Sequence, residues 1–226
     1  MGVGRQPCLA GRRGRVADPD RGRARPGLHP GHHGGAGDDQ TALAEANLLA
    51  VHAGAVALVD RVVAIPAVSR AGKSTLAAAC LRSGLDYVSD EALCLRWDSG
   101  EVVPYPRPIA LSSWSAEQVA APAADRSSGD RLLTAADFGA ATASGSLELA
   151  HVVLPRRGEA GEPASLESAP RREAVAELLR RSFTSWRRPD RAFALVHEVV
   201  GCASTWRLTL GRPGDAARLV AGLIQA

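Results

Sequence analysis

The stretch Ala67-Val-Ser-Arg-Ala-Gly-Lys-Ser-Thr75 constrains this chain more than any other. It follows an apolar run, Val62-Val-Ala-Ile65, and leads into Leu76-Ala-Ala-Ala-Cys-Leu81. A strand therefore ends and a helix begins around it, which is the context a phosphate-binding loop requires. In such a loop, successive backbone N–H groups and the positive end of the helix form a concave anion site. Residues 67 to 75, with Ala67, Ser69, Arg70, Ala71, Gly72 and Thr75 shaping the loop, are the candidate nucleotide-phosphate site. Lys73 is placed to reach the outer phosphates, and the Ser74 hydroxyl to hold magnesium. The chain has 27 Lys plus Arg, and Lys73 is the one lysine among them. A compact ammonium on a flexible stem has been kept at the one position that wants it. The alternative is a chance Gly-Lys-Ser-Thr in an ordinary strand-turn-helix. Lys73 is expected to be exposed at the helix start, with no role in the core.

Two positions depart from the usual Gly-x-x-x-x-Gly-Lys-Ser/Thr. Ala67 stands at the first glycine, which is tolerable if its φ stays negative. Arg70 stands where many such loops have a second glycine, so its side chain must point away from the phosphates or fold onto them.

With 226 residues and 46% hydrophobic content, the chain can build a real core in one generous domain or two small ones. No apolar run approaches the length of a membrane span, and the first 30 residues lack a signal-peptide apolar region. A cytoplasmic protein is expected. Cys8, Cys80, Cys94 and Cys202 are scattered, without metal-ligand spacing, and the last three are expected as small core residues.

Residues 1 to 40 differ in composition. They hold 10 of the 23 glycines, seven arginines, four aspartates and no Phe, Trp or Tyr, so they carry the whole formal charge of +3. Such a segment is expected to be disordered, leaving 41 to 226 as the folded domain. Its arginines raise the option of a nucleic-acid arm, but without interleaved aromatics and with aspartates among them no nucleic-acid partner is expected. A further option is that 1 to 40 is GC-rich sequence translated from a wrong start or frame. His29, His32 and His33 support at most a weak adventitious metal site.

Beyond Thr41, Ala42 to Ala50 has helix-forming composition, with Asp39 and Thr41 as caps. Val51 to Val59 and Val62 to Ile65 form a hairpin across the turn Asp60-Arg61. Asp86 to Glu91 is a short strand ending in two carboxylates. Ala92 to Trp97 and Glu101 to Val103 form a second hairpin. Residues 115 to 145 are expected to be a mobile loop with at most a short helix, and Pro155 to Pro170 a polar connector. Leu147 to Leu154 and Thr205 to Leu210 are strands. Helices are expected over Arg172 to Trp186, Asp190 to Val200 and Gly214 to Ile224. Hairpins on both sides of the loop imply antiparallel strands, so the fold class is α/β with a mixed sheet.

His52-Ala-Gly-Ala-Val, the 67 to 75 loop, Val88-Ser-Asp-Glu91 and Val103-Pro-Tyr-Pro-Arg-Pro108 occur in the order and spacing of the C-terminal kinase domain of HPr kinase/phosphorylase. The chain resembles most the short HPr-kinase-like proteins that accompany bacterial peptide-modification and lasso-peptide gene clusters. Leu178-Leu, Ser182-Phe183, Phe193 and Trp206 to Leu210 follow the same pattern, so the resemblance covers residues 45 to 224. It implies a mixed-sheet P-loop fold of the HPr kinase and phosphoenolpyruvate carboxykinase type. It also implies phosphorylation of a serine on a small protein or peptide by ATP and Mg2+, with a homo-oligomer left open.

Phosphoryl transfer needs in-line placement, charge neutralisation and a base for the acceptor hydroxyl. Asp90 and Glu91 supply two carboxylates, Asp90 for magnesium and Glu91 for the proton. The family usually has two aspartates here, so Glu91 lengthens one arm by a methylene. Adjacent strand residues face opposite sides, so both can serve one site only if the strand ends there. A solvated acidic turn is the alternative. By resemblance, His52 lies near the catalytic carboxylate and tunes it; otherwise it is a hydrogen-bonded core histidine. Arg107 is a candidate contact for transferred phosphate or substrate, or else a surface arginine. A binding module without transfer, and an ATPase that drives a partner, are the competing functions.

Overall fold

The computed structural model describes residues 47–68, 71–121, 130–159 and 161–225. All of them belong to the unit spanning 34 to 226. The expectations for residues 1 to 40, for Ser69 and Arg70, and for the first part of the 42 to 50 helix lie outside the described residues.

The chain is an α/β protein with a mixed sheet. Strands β1 (Leu48–Leu58), β2 (Arg61–Pro66), β3 (Asp86–Ser89), β4 (Ala92–Arg96), β5 (Val102–Val103), β8 (Glu148–Arg157), β9 (Ser165–Ser168) and β10 (Ser204–Leu210) form it, in the order β5-β4-β1-β2-β8-β10-β9 with β3 also on β1. β2, β8 and β10 run parallel, and the other pairings are antiparallel. β6 (Ile109–Ser112) and β7 (Asp130–Leu133) make a separate hairpin ladder. The helices are α1 (Lys73–Arg82), α2 (Ser113–Gln118), α3 (Arg171–Arg180), α4 (Pro189–Cys202) and α5 (Pro213–Gln225).

Alternation within β2 explains the layers. Val63 and Ile65 join the cluster formed with α1 and α5, including Leu76, Cys80, Leu81, Val220 and Ile224. Val62 and Ala64 point to the other face, against Ala174 and Leu178 of α3 and Leu195, Val196 and Val200 of α4. A strand buried on both faces reads as a continuous apolar run, as this one does. Among the described residues no helix is long and apolar enough to cross a membrane.

Several local expectations need correction. Leu48, Leu49 and Ala50 are strand rather than helix, because they pair with Arg96, Leu95 and Cys94 of β4. Ladder bonds and burial outweigh their modest helix preference. The 115 to 145 stretch carries β7 and the 3₁₀ turn Ala135–Phe138, and the 155 to 170 connector carries β9. The helix expected through Trp186 ends at Arg180, since the residues that follow are drawn onto β1. Cys80 and Cys94 are buried, but Cys202 is exposed at the end of α4.

β1 is the organising strand. Its partner edge is one long strand broken in two: Ala55 pairs Ser89 of β3, and His52 pairs Ala92 of β4. Asp90 and Glu91 occupy the break. Ser89 Oγ accepts the Glu91 and Ala92 N–H groups at 3.1 and 3.0 Å, which satisfies the donors that the interrupted ladder leaves over. On the opposite edge β2 covers β1 from Ala53 onward. The earlier part is covered by residues 181 to 184: His52 N–H donates to the Arg181 carbonyl and Phe183 N–H to that of Ala50, both at 2.9 Å.

Candidate functional site

A cavity of about 850 Å³ opens at the carboxyl ends of β2, β8 and β10. Open α/β sheets bind ligands at such ends, where loops leave parallel strands. Gly72, Lys73, Ser74 and Thr75 line it from the loop and the start of α1, His52 from β1, and Asp90 and Glu91 from the break between β3 and β4.

Gly72 caps α1 with φ 96°, a left-handed conformation that costs glycine little. No side chain caps this helix end, so its first N–H groups remain available to an anion. Ala67 is absent from the described non-glycine residues with positive φ, so its methyl causes no backbone strain. Ala67 is buried and, with Ala71, lines a second, smaller cavity; Ala71 borders both.

Lys73 is buried rather than exposed, at 6% of its free surface, which corrects the expectation from its place at a helix start. Its Nζ lies 2.9 Å from Nε2 of His52. His52 Nδ1 faces Glu91 Oε1 at 3.3 Å, near enough for electrostatic contact but not aligned as a hydrogen bond. An ammonium donating to Nε2, with the ring proton on Nδ1, satisfies both contacts. The imidazole also stacks obliquely on Phe183, at 5.7 Å between centroids. His52 is thus a member of the charged constellation rather than an isolated core histidine.

The environment displaces three of these groups. Burial lowers the Lys73 pKa and Arg181 adds to this, while Glu91 and Asp90 oppose it. Burial raises that of Asp90; hydrogen bonds from Ser74 and Tyr87 pull it back, Glu91 pushes it further up, and Lys73 lowers it. Contact with His52 holds Glu91 below the usual carboxylate range, against partial desolvation.

The strand ends at Ser89, just before the two carboxylates, and both Asp90 and Glu91 line one cavity. Asp90 is only 7% exposed, whereas the Glu91 side chain keeps 46% of its surface. The buried acid sits against the Ser74 hydroxyl, and the open acid faces the cavity beside His52. A carboxylate with a hydroxyl suits magnesium, which takes few protein ligands and completes its shell with water and phosphate oxygens. Among the described residues no three His, Cys, Asp or Glu side chains cluster as a metal cage.

Arg107 does not line the cavity. Its carbonyl is tied to Tyr87, whose hydroxyl lies 2.8 Å from it and 3.0 Å from Asp90 Oδ1, and accepts the Asp90 N–H at 3.1 Å. The sequence reading missed Tyr87, which looks like any apolar strand residue. It also missed Arg157 and Trp114, which line the cavity from the end of β8 and the start of α2.

The second cavity, about 410 Å³, lies against Pro66, Ala67, Val68 and Ala71. Arg156, Arg180, Arg181, Arg207, Glu173 and Glu177 line it too.

No family model matches the chain, and no curated protein matches it.

Proposed function

We propose that the protein is an ATP-dependent serine kinase of the HPr-kinase-like class, acting on a small protein or peptide. The observation that carries this reading is the convergence of Lys73, Ser74, Asp90, Glu91 and His52 in one cavity, at the uncapped start of α1. Chain regions that resemble HPr kinase in order and spacing thus meet in space, and a mixed sheet suits that fold.

Phosphoryl transfer depends on positioning and charge neutralisation more than on covalent chemistry by the protein. The N–H groups at the start of α1 hold phosphate oxygens. Lys73 exchanges its hydrogen bond to His52 for one to a phosphate oxygen. Ser74 and Asp90 would hold magnesium, which neutralises phosphate charge when bound. Glu91 takes the proton of the acceptor serine, and His52 orients it.

A nucleotide-binding module without transfer is the second reading. The departures from the usual loop at Ala67 and Arg70 favour it.

Incubating the full chain with magnesium and γ-labelled ATP on an array of serine-bearing peptides tests the proposal. Label on serine in a subset of peptides, lost in Lys73→Ala, is expected. ATP binding without any labelled serine would favour the binding module. Phosphate released to water irrespective of peptide would favour an ATPase.

A further inference from the structure

The cavity's lining combines polar residues, among them Lys73, Asp90, Glu91 and His52, with apolar surface from Ala110, Trp114, Leu210 and Pro213. Trp114 stands out in that group. It is 63% exposed in the first turn of α2. Trp97 lies beneath Arg188 and Arg191, Trp186 donates to the Phe183 carbonyl, and Trp206 donates to His151. Among the described residues, Trp114 alone of the four tryptophans has neither a ring contact nor a side-chain hydrogen bond.

Its position follows from the hairpin before it. Ile109, Leu111 and Leu133 turn into the core, so their neighbours turn outward. Ala110 pairs with Leu132 across the ladder, and Ser112 with Asp130. Ala110, Ser112 and Asp130 line the cavity, and Leu132, 57% exposed, extends the apolar surface beside Ala110. α2 is fastened to the loop helix, because Thr75 Oγ1 donates to Ser115 Oγ at 2.9 Å and Ser112 Oγ lies 3.1 Å from the same atom. Trp114, the residue before Ser115, is therefore held at a set offset from Lys73 and Ser74 through this hydroxyl contact.

A ligand that matches both kinds of surface has a polyanionic end and a flat aromatic end. We propose that Trp114 is the platform on which the base of the bound nucleotide stacks. This rests on the reading of 67 to 75 as a nucleotide-phosphate site and adds the residue that recognises the other end of the molecule. An exposed indole suits the task, since every base presents a π-face and stacking needs no hydrogen-bond match. The reading favours a nucleotide over an aromatic side chain of the acceptor because Trp114 is coupled to the helix that carries Lys73.

Binding of magnesium-ATP and of magnesium-tripolyphosphate, which has the phosphates but no base, separates the two ends. Both are measured calorimetrically on the full chain, on Trp114→Ala and on Trp114→Phe. Trp114→Ala is expected to weaken ATP about five- to a hundred-and-fifty-fold and to leave tripolyphosphate unchanged, with Trp114→Phe retaining most of the ATP affinity. Equal weakening of both ligands would make Trp114 a prop for the loop and overturn the proposal. Unchanged ATP affinity in Trp114→Ala would overturn it as well, and a raised KM for the acceptor alone would then assign the indole to the peptide. If the wild type binds neither ligand, the phosphate-site reading fails and the stacking role falls with it.

Discussion

The two cavities that meet at Ala71 hold similar residue types and treat them in opposite ways. The smaller has more formal charge, yet its charges are matched. Arg207 bridges Glu167 and Glu173, Glu177 holds Arg180 and Arg181, and Arg156 lies 3.7 Å from Glu162. Pairs of this kind near solvent contribute little to stability and leave little potential for a ligand. In the larger cavity Lys73 and Asp90 are buried, and Lys73 rests on a histidine instead of a carboxylate. Their pKa values move toward each other, the lysine down and the acid up, mainly through burial. Displaced titration of grouped residues in a cleft singles out a candidate site, whereas a count of charges does not.

Substitutions can sharpen or break that contrast. The largest effect is expected from Glu91→Gln, which keeps shape and removes the proposed base. Turnover with a labelled acceptor peptide should fall about a hundred- to ten-thousand-fold while ATP affinity holds. Equal turnover would return Glu91 to the status of a solvated turn. Asp90→Asn should lower magnesium-dependent ATP binding and transfer together, because the proposed ligand to the ion is lost. Loss of transfer at full ATP affinity would place the ion elsewhere.

Tyr87→Phe should act on stability. It removes the hydroxyl that accepts the buried Asp90 N–H, and an unpaired buried donor costs about 1 to 3 kcal/mol. A denaturant midpoint equal to wild type would show that water replaces the hydroxyl. His52→Ala should move the acid limb of the pH–rate profile. His52 holds the Glu91 pKa down, so its loss lets that pKa rise, and the limb shifts to higher pH. The stability that this depressed carboxylate contributes is present above its unfolded pKa and lost as pH falls through the folded one, so the variant should lose that acid-side dependence. The smallest effect belongs to the other cavity's margin. Glu167→Gln, at an exposed partner of Arg207, should change neither melting temperature nor ATP affinity, and a change in affinity would mean that the arginine cavity joins the site.

What could be read from the sequence was local. The apolar run, the loop and the helix after it follow from spacing within about twenty residues. So do the hairpins around 60 and 98 and the short strand that stops just before Asp90, because turn chemistry and alternation act over a few positions. The candidate residues Lys73, Ser74, Asp90 and Glu91 were within reach for the same reason, as each lies on or beside such a segment, whereas His52 entered through the family resemblance. The tertiary structure alone decided what surrounds them. Composition favoured a helix through Ala50, but β4 claimed that segment as strand, and Thr184, 134 positions away, accepts its N–H. Lys73 is buried at a helix start that packs against β1, where its ammonium meets His52. Tyr87 matters only because the broken edge brings its hydroxyl under Asp90, and Trp114 only because the Thr75–Ser115 contact brings its helix to the loop. Burial and long-range pairing set these roles, and neither has a period or a motif in the chain.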